Sequence, residues 1–187
     1  MRYPKEHKDQ ARQRIVENGG RVAKKRGFSA SGIDAMAAAS GVTSGSLYKH
    51  FSGKSDLFAA IVEAELRQSA KRFSAVEPNA NGFGKALDAY LSLQHVDHPE
   101  RGCALPSLSA EVARADESVR AAFQESLLEI HEPLKRLLKS GDKAWALIAQ
   151  SVGAVMLARA VLDDDVRNDV LSAAKKDGRA QLRKRVK

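Results

Sequence analysis

The chain has 187 residues, 43% apolar and 29% charged, with five prolines, one cysteine and a net charge of +8. The single cysteine, Cys103, excludes an internal disulfide and any Cys-based zinc cluster, and it suits a reducing compartment. Scarce proline, with Ala, Leu, Arg, Lys and Glu dominating long stretches, points to an all-helical fold.

The first helix is expected over Lys8–Arg26, ended by Gly27 in the position that favours a residue without Cβ. A second covers Gly32–Ala39, with Ser31 as N-cap and Asp34 three residues on. Gly41 turns the chain into a short helix over Ser44–Phe51. After Ser52-Gly53 a long helix runs to about Val76, with Asp56 in its first turn. Pro78, Asn79, Asn81 and Gly82 mark a loop, and a helix follows to about His95. Asp97, Pro99 and Gly102 make a second break before a short helix from Leu105 with Pro106 in its first turn.

Asp116 then caps a helix whose apolar residues Val119, Phe123, Leu127, Ile130, Leu134 and Leu137 fall at spacings of 4, 4, 3, 4 and 3, a single stripe in which Pro133 predicts a kink. Gly141-Asp142 breaks the chain before Lys143–Leu162. Asp163, Asp164 and Asp165 open a last helix to about Lys176, and a frayed tail is expected beyond. These amount to about nine helices in a head over 1–56, a helical body over 57–176 and a basic tail over 177–187.

The stretch Trp145–Leu162 is apolar enough to be weighed as a membrane span. Gln150, Ser151 and above all Arg159 make a buried or interface helix the better reading. The opening MRYPKEHKDQAR has no apolar core of a signal peptide, so a cytoplasmic protein without membrane partners is expected.

Charge is unevenly spread. Residues 1–56 carry 11 Lys/Arg against 5 Asp/Glu, residues 57–166 carry 12 against 16, and residues 167–187 carry 8 against 2. A basic head on an acidic body is the pattern of a polyanion-binding module joined to a second domain; a merely solubilising surface charge is the bland alternative.

Ser31–Lys54 decides between them. Ile33, Met36 and Ala37 share one face of the second helix, and Val42, Leu47 and Phe51 can close over it, across a four-residue turn that contains Gly41. Left outside are Thr43, Ser44, Gly45, Ser46, Tyr48, Lys49 and His50, all small or hydrogen-bonding. A short helix of this kind can enter a DNA major groove about 12 Å wide with its N-terminal residues nearest the base edges. An ordinary helical hairpin with a polar outer side is the competing explanation.

The chain here resembles the TetR family of bacterial repressors from about Arg12 to Glu65. The resemblance is carried by Ile15-Val16, Lys25-Arg26-Gly27-Phe28, Ile33 to Val42, Gly45-Ser46-Leu47-Tyr48-Lys49-His50-Phe51 and Gly53-Lys54-Ser55-Asp56-Leu57-Phe58. It implies that Tyr48, His50 and Lys54 contact phosphate. It further implies that Thr43, Ser44, Gly45 and Lys49 face base edges, and that Ser29 and Ser31 bind backbone phosphate through hydroxyl and amide groups. Two features depart from the pattern. Gly19 and Gly20 interrupt the first helix, each at a cost of about 1 kcal/mol relative to Ala, and Ala23 replaces a bulky aromatic. A loosely packed head is the expectation.

The resemblance also implies a helical body that binds a small molecule and pairs two protomers. The stripe residues Phe123, Leu127 and Ile130, with polar-tipped His131 and Trp145, are assigned to one wall of a pocket, and Leu91, His95, Leu105 and Leu108 to the other. An apolar or aromatic effector is expected. Each of these residues is also read as ordinary core. Cys103, beside Arg101 and ahead of a helix, joins the pocket as a candidate redox or electrophile sensor, the alternative function, against an inert buried thiol.

His95, Asp97, His98 and Cys103 have metal-binding side chains but straddle a loop without motif spacing, so no metal is expected. No Gly-rich phosphate loop, Gly-x-Ser-x-Gly elbow or His-Glu-x-x-His signature is present, so neither an enzyme nor a cofactor is expected. An adaptor that ignores DNA is the third class, recognisable if changing Tyr48 cost no function. For pairing, the shallow face of Ala146, Ala149, Gly153, Ala154 and Ala158, with Val166, Val170 and Leu171 on the next helix, implies a four-helix homodimer interface.

Overall fold

The computed structural model describes residues 5–183, which form ten α-helices and no strand among the described residues. In order they are α1 (Lys5–Arg26), α2 (Ile33–Ala39), α3 (Ser44–Leu47), α4 (Lys54–Ser74), α5 (Ala80–Tyr90), α6 (Leu93–Asp97), a 3-10 turn (Pro99–Arg101), α7 (Leu105–Val112), α8 (Glu117–Leu138), α9 (Gly141–Ala160) and α10 (Asp164–Arg183). The count exceeds nine because the helix expected to reach His95 breaks at Ser92. The Ser92 hydroxyl accepts the His95 backbone N–H and starts α6.

Helices α1 to α3 make the head. Its core is built from Ile15, Val16, Met36, Ala37, Leu47 and Phe51, continuous with Leu57 and Phe58 of α4. Phe28 stacks on Phe58 with ring centroids 4.1 Å apart. Gly27 ends α1 at φ 84°, in the left-handed region, as its position predicts.

The cap of α2 differs from expectation. Gly32 is the N-cap, while Ser31 is buried and its hydroxyl donates to Gly27 O at 2.7 Å. Asp34 accepts a hydrogen bond from Ser44 instead of closing a capping box.

Nor is the head loose. Gly19 and Gly20 are both buried, and a Cβ would lie 3.1 Å from Ile61 Cδ1 at the first and 2.5 Å from Glu65 Oε1 at the second. The glycines and the fully buried Ala23 let α1 approach α4 closely. Into the space this leaves reaches Lys24. Its Nζ meets Glu65 Oε2 at 2.7 Å and donates to Gly102 O at 3.0 Å, with both charged side chains buried.

In the body α4 packs along α8, α8 on α9, and α9 on α10. Asp116 is the α8 N-cap residue by position, but its carboxylate takes the Ser55 hydroxyl instead of the helix N–H groups. Pro133 lies inside α8. The break before α9 falls one pair earlier than predicted. Lys139 turns the chain at φ 53°, and the Ser140 hydroxyl caps α9 by accepting the Lys143 N–H.

The expected division at 176 is not a structural one. Helix α10 continues to Arg183, Gly178 is buried against Leu87 and Leu147, and Leu182 packs on the core. Residues 184–187 of the basic tail lie outside the described residues. Among the described residues no helix is long and apolar enough to cross a membrane. Arg159, the residue that argued against a span, reaches inward. It donates to Val96 O, His95 O and Ser107 Oγ, binding α6 and α7 to α9.

Candidate nucleic-acid interface

Helix α3 is a single turn. Thr43 starts it by accepting the Ser46 N–H at 3.2 Å, and Leu47 and Phe51 anchor it to the head core. Because those two point inward, the opposite side is left to Thr43, Gly45, Tyr48 and Lys49, all exposed, with Ser44, Ser46 and His50 half-buried beside them. Tyr48 is 54% exposed, far more than its ring would be if it served the core. No Cβ added to Gly45 would meet anything within 4 Å, so the face is open to an approaching surface. Ser44 is partly committed through its bond to Asp34.

Lys54 begins α4 beside the start of α2. Its Nζ lies 5.2 Å from the Phe28 ring centroid and 3.4 Å from Ser29 O. Ser29 is exposed, but its backbone N–H already donates to Glu111 Oε2 at 2.6 Å, and the Phe28 N–H donates to Glu111 Oε1 at 2.9 Å. The amide that the resemblance implied would bind phosphate is therefore held by a carboxylate of α7. Ser31, buried and bonded to Gly27, is likewise unavailable.

Sequence reasoning missed two cations. Arg12 lies with its guanidinium 4.9 Å from the Phe51 ring centroid, and Lys8 and Arg12 flank His50 from α1. Partial burial, then Lys8, Arg12 and Lys49, hold the His50 pKa below its ordinary value. The i,i+4 spacing of Lys8 and Arg12 was the available signal.

Comparison with known proteins agrees with this geometry. Residues 15–61 match the family described as bacterial regulatory proteins, tetR family. The chain is 25% identical over 138 residues to the HTH-type transcriptional repressor DhaR of Mycobacterium sp. (strain GP1), covering 73% of this chain and 69% of that one. It is 39% identical over 62 residues to the HTH-type transcriptional regulator AcrR of Shigella flexneri, covering 33% of this chain but only 29% of the relative. Among solved structures, a TetR transcriptional regulator from Chloroflexus aurantiacus superposes with a TM-score of 0.77 at 20% identity, over 96% of this chain and 97% of that one. The reduced form of Escherichia coli NemR gives 0.74 at 21% identity, over 90% and 95%. The head thus matches the TetR family over residues 15–61, and the whole chain shares the fold of solved TetR-family regulators. It is a helix-turn-helix DNA-binding transcriptional regulator.

In the body a cavity of about 550 Å³ opens between α4, α5, α8 and α9. Of the residues assigned to a pocket from sequence, Leu105 and Ile130 line it. His95 and Cys103 line a second cavity of about 330 Å³. The rest fall elsewhere. Leu91 and Leu108 are sealed in the core, Phe123 and Leu127 pack against it, and His131 stacks on Trp145 at a centroid distance of 4.0 Å, outside both cavities. The α8 stripe marks the inward face correctly. Where that face meets α4 and where it meets a void is set by the neighbouring helices.

Sequence reading missed Phe73 and Tyr90, whose rings, 6.1 Å apart, line both cavities. The buried Tyr90 hydroxyl has no hydrogen-bond partner among the described residues, and burial above all, then Cys103, raises its pKa well above the ordinary value. Cys103 is 5% exposed, with Sγ 3.6 Å from Ser69 Oγ.

His95 is committed twice. Nδ1 meets Tyr90 O at 2.6 Å and Nε2 meets the Cys103 N–H at 3.0 Å, so the ring is neutral with its proton on Nδ1. Burial lowers its pKa and favours the same form. Asp97 pairs with Arg167, and the described residues contain no group of three or more side chains placed to hold a metal ion.

The residues assigned to pairing also divide. Ala146, Ala149 and Val166 are exposed, and Gly153 and Val170 half-buried. Ala154, Ala158 and Leu171 belong to the protomer's own core and cannot meet a partner. Met156, Leu157 and Leu162 stand out instead, exposed by 41%, 59% and 99%.

Proposed function

We propose that this regulator binds a pseudo-palindromic operator as a homodimer, represses transcription there, and is released when a small molecule fills the larger cavity. Two copies of α3 related by a twofold axis require half-sites spaced by about 10–10.5 bp or a multiple of it. The observation that carries the release is the bonding of α7. Leu105 lines the cavity, Gly102 just before the helix holds Lys24, and Glu111 near its end holds the backbone of Phe28 and Ser29. A ligand that displaces α7 therefore pulls on α1 and on the start of α2, and with them on the spacing of the two heads. A coupling of about 1–3 kcal/mol lowers operator affinity 5–150-fold, and DNA weakens the ligand by the same factor.

Footprinting and binding titrations test the DNA half. Tyr48→Ala and Lys54→Ala are expected to weaken binding to every operator variant, and Lys54→Ala to lower the salt slope by about one per head. Lys49→Ala is expected to change which bases are preferred. An equal loss on all sequences would remove Lys49 from the base-reading set.

His50 adds a pH dependence. Its free-state pKa lies below 6.5, and a nearby phosphate raises it, so binding takes up a proton in the window between the two values. Affinity is expected to rise as pH falls through that window, and His50→Gln to flatten the rise. An unchanged slope in the variant would place the proton uptake elsewhere.

The thiol-sensing alternative rests on Cys103. It requires an oxidant to release operator from the wild type but not from Cys103→Ser.

A further inference from the structure

We propose that the larger cavity takes an amphipathic monocarboxylate, an apolar acid whose chain fills the interior and whose carboxylate meets Lys139 and Arg136. The inference rests on the reading of this cavity as the effector site, and its own content is the charge of the ligand's head group. The interior is hydrocarbon, with Phe83, Leu87, Ile130 and Leu147 on facing helices, so most of any occupant must be apolar. The charged residues lining it are Lys139 and Arg136, both exposed while lining it, which sets them at its opening. No carboxylate lines the cavity, so a lipophilic cation finds no counter-charge there.

Lys139 supplies an independent reason. It is the one non-glycine among the described residues with a positive φ, 53°, at the position after α8 where glycine is favoured because it has no Cβ. A side chain kept where its own backbone disfavours one has a use for its far end. Balancing the α8 dipole does not require it, since Lys135 and Arg136 already occupy the last turn. Arg136 is held only loosely, 3.9 Å from Glu132 in an exposed pair that a ligand carboxylate can displace. Among the described residues Lys139 makes no ion pair and Arg136 only that loose one, and together they match a single negative charge better than two.

Decanoate, decanol and decylamine test this with the full chain, by calorimetric titration at neutral pH and by operator binding. Decanoate is expected to bind at least about tenfold more tightly than decanol, and decylamine more weakly still. Lys139→Gln should cost decanoate about tenfold and leave decanol unchanged. Lys139→Gly should lose the same preference yet melt at a higher temperature than the wild type, which separates the ligand effect from damage to the fold. Ala86→Phe, which fills the cavity from α5, should abolish binding of all three.

Equal binding of amine and acid, an unchanged decanoate affinity in Lys139→Gln, or no binding of decanoate to the wild type would each overturn the inference. If decanoate binds with the expected Lys139 dependence but operator affinity does not move, the head-group assignment stands and the release model fails. If decanol and decylamine release operator as well as decanoate does, release stands and the head-group assignment fails.

Discussion

Lys24→Met is expected to destabilise the folded protein by about 3–5 kcal/mol, because it leaves the Glu65 carboxylate buried without its partner. For a chain of this size that corresponds to a fall of roughly 6–20 °C in melting temperature, read at fixed protein concentration. The loss should not be additive. Glu65→Leu in the same chain removes the stranded charge, and the double variant should recover most of the stability, since apolar residues of similar volume often replace a buried ion pair at no net cost. Because Lys24 also donates to Gly102 O, the double variant loses the tie between α1 and the segment that leads into α7. It is therefore expected to fold and to bind operator, but to respond less to any ligand of the cavity. A Lys24→Met protein that melts with the wild type would mean that water or a local shift already satisfies Glu65, and the buried pair would no longer explain how the head is held.

That pair also shows where sequence reasoning stops. Gly19 and Gly20 read as defects because helix propensity is a property of one segment, whereas their use depends on Ile61 and Glu65 more than forty residues away. The helix-turn-helix was legible because its signals are local: Leu47 and Phe51 anchor α3, Thr43 caps it, and the remaining side chains face out. The same local reading misplaced the α2 cap. Ser31 is a good capping residue by type, but Gly32 starts the helix and Ser31 turns back to Gly27. In the body, periodicity found the buried side of α8 without finding the cavity. Phe123 and Ile130 share the same stripe, yet only Ile130 meets the void. Ala154 and Ala158 likewise looked like a shallow interface face, because small residues admit close packing from either side of a helix. In this fold they admit the protomer's own helices.

Leu157→Glu is expected to turn the proposed homodimer into a monomer and to lower operator affinity by about 10²–10⁴, the range by which two linked binding events exceed one. Leu157 is 59% exposed on α9, next to Met156 in sequence, and Leu162 and Val166, before and within the first turn of α10, are exposed as well. Four large exposed apolar groups on two successive helices suit a surface that a partner covers. A twofold interface doubles the effect of the substitution, because the same position is changed on both protomers and each new carboxylate faces a region meant to be dry. The protomer itself should tolerate the change, since Leu157 lies outside its core. A matched control is available on a different helix: Leu128 of α8 is 49% exposed and is not assigned to pairing, so Leu128→Glu should leave both mass and operator affinity as they are. Sedimentation fixes the oligomeric state, and titration against a full operator and an isolated half-site fixes the affinities. The variant should bind the half-site as well as the wild type does, because each head is intact and only the second contact is lost. If Leu157→Glu stayed dimeric with full operator affinity, the pairing surface would lie elsewhere. If it became monomeric and bound the full operator undiminished, a single head would suffice and the palindromic-operator model would have to go.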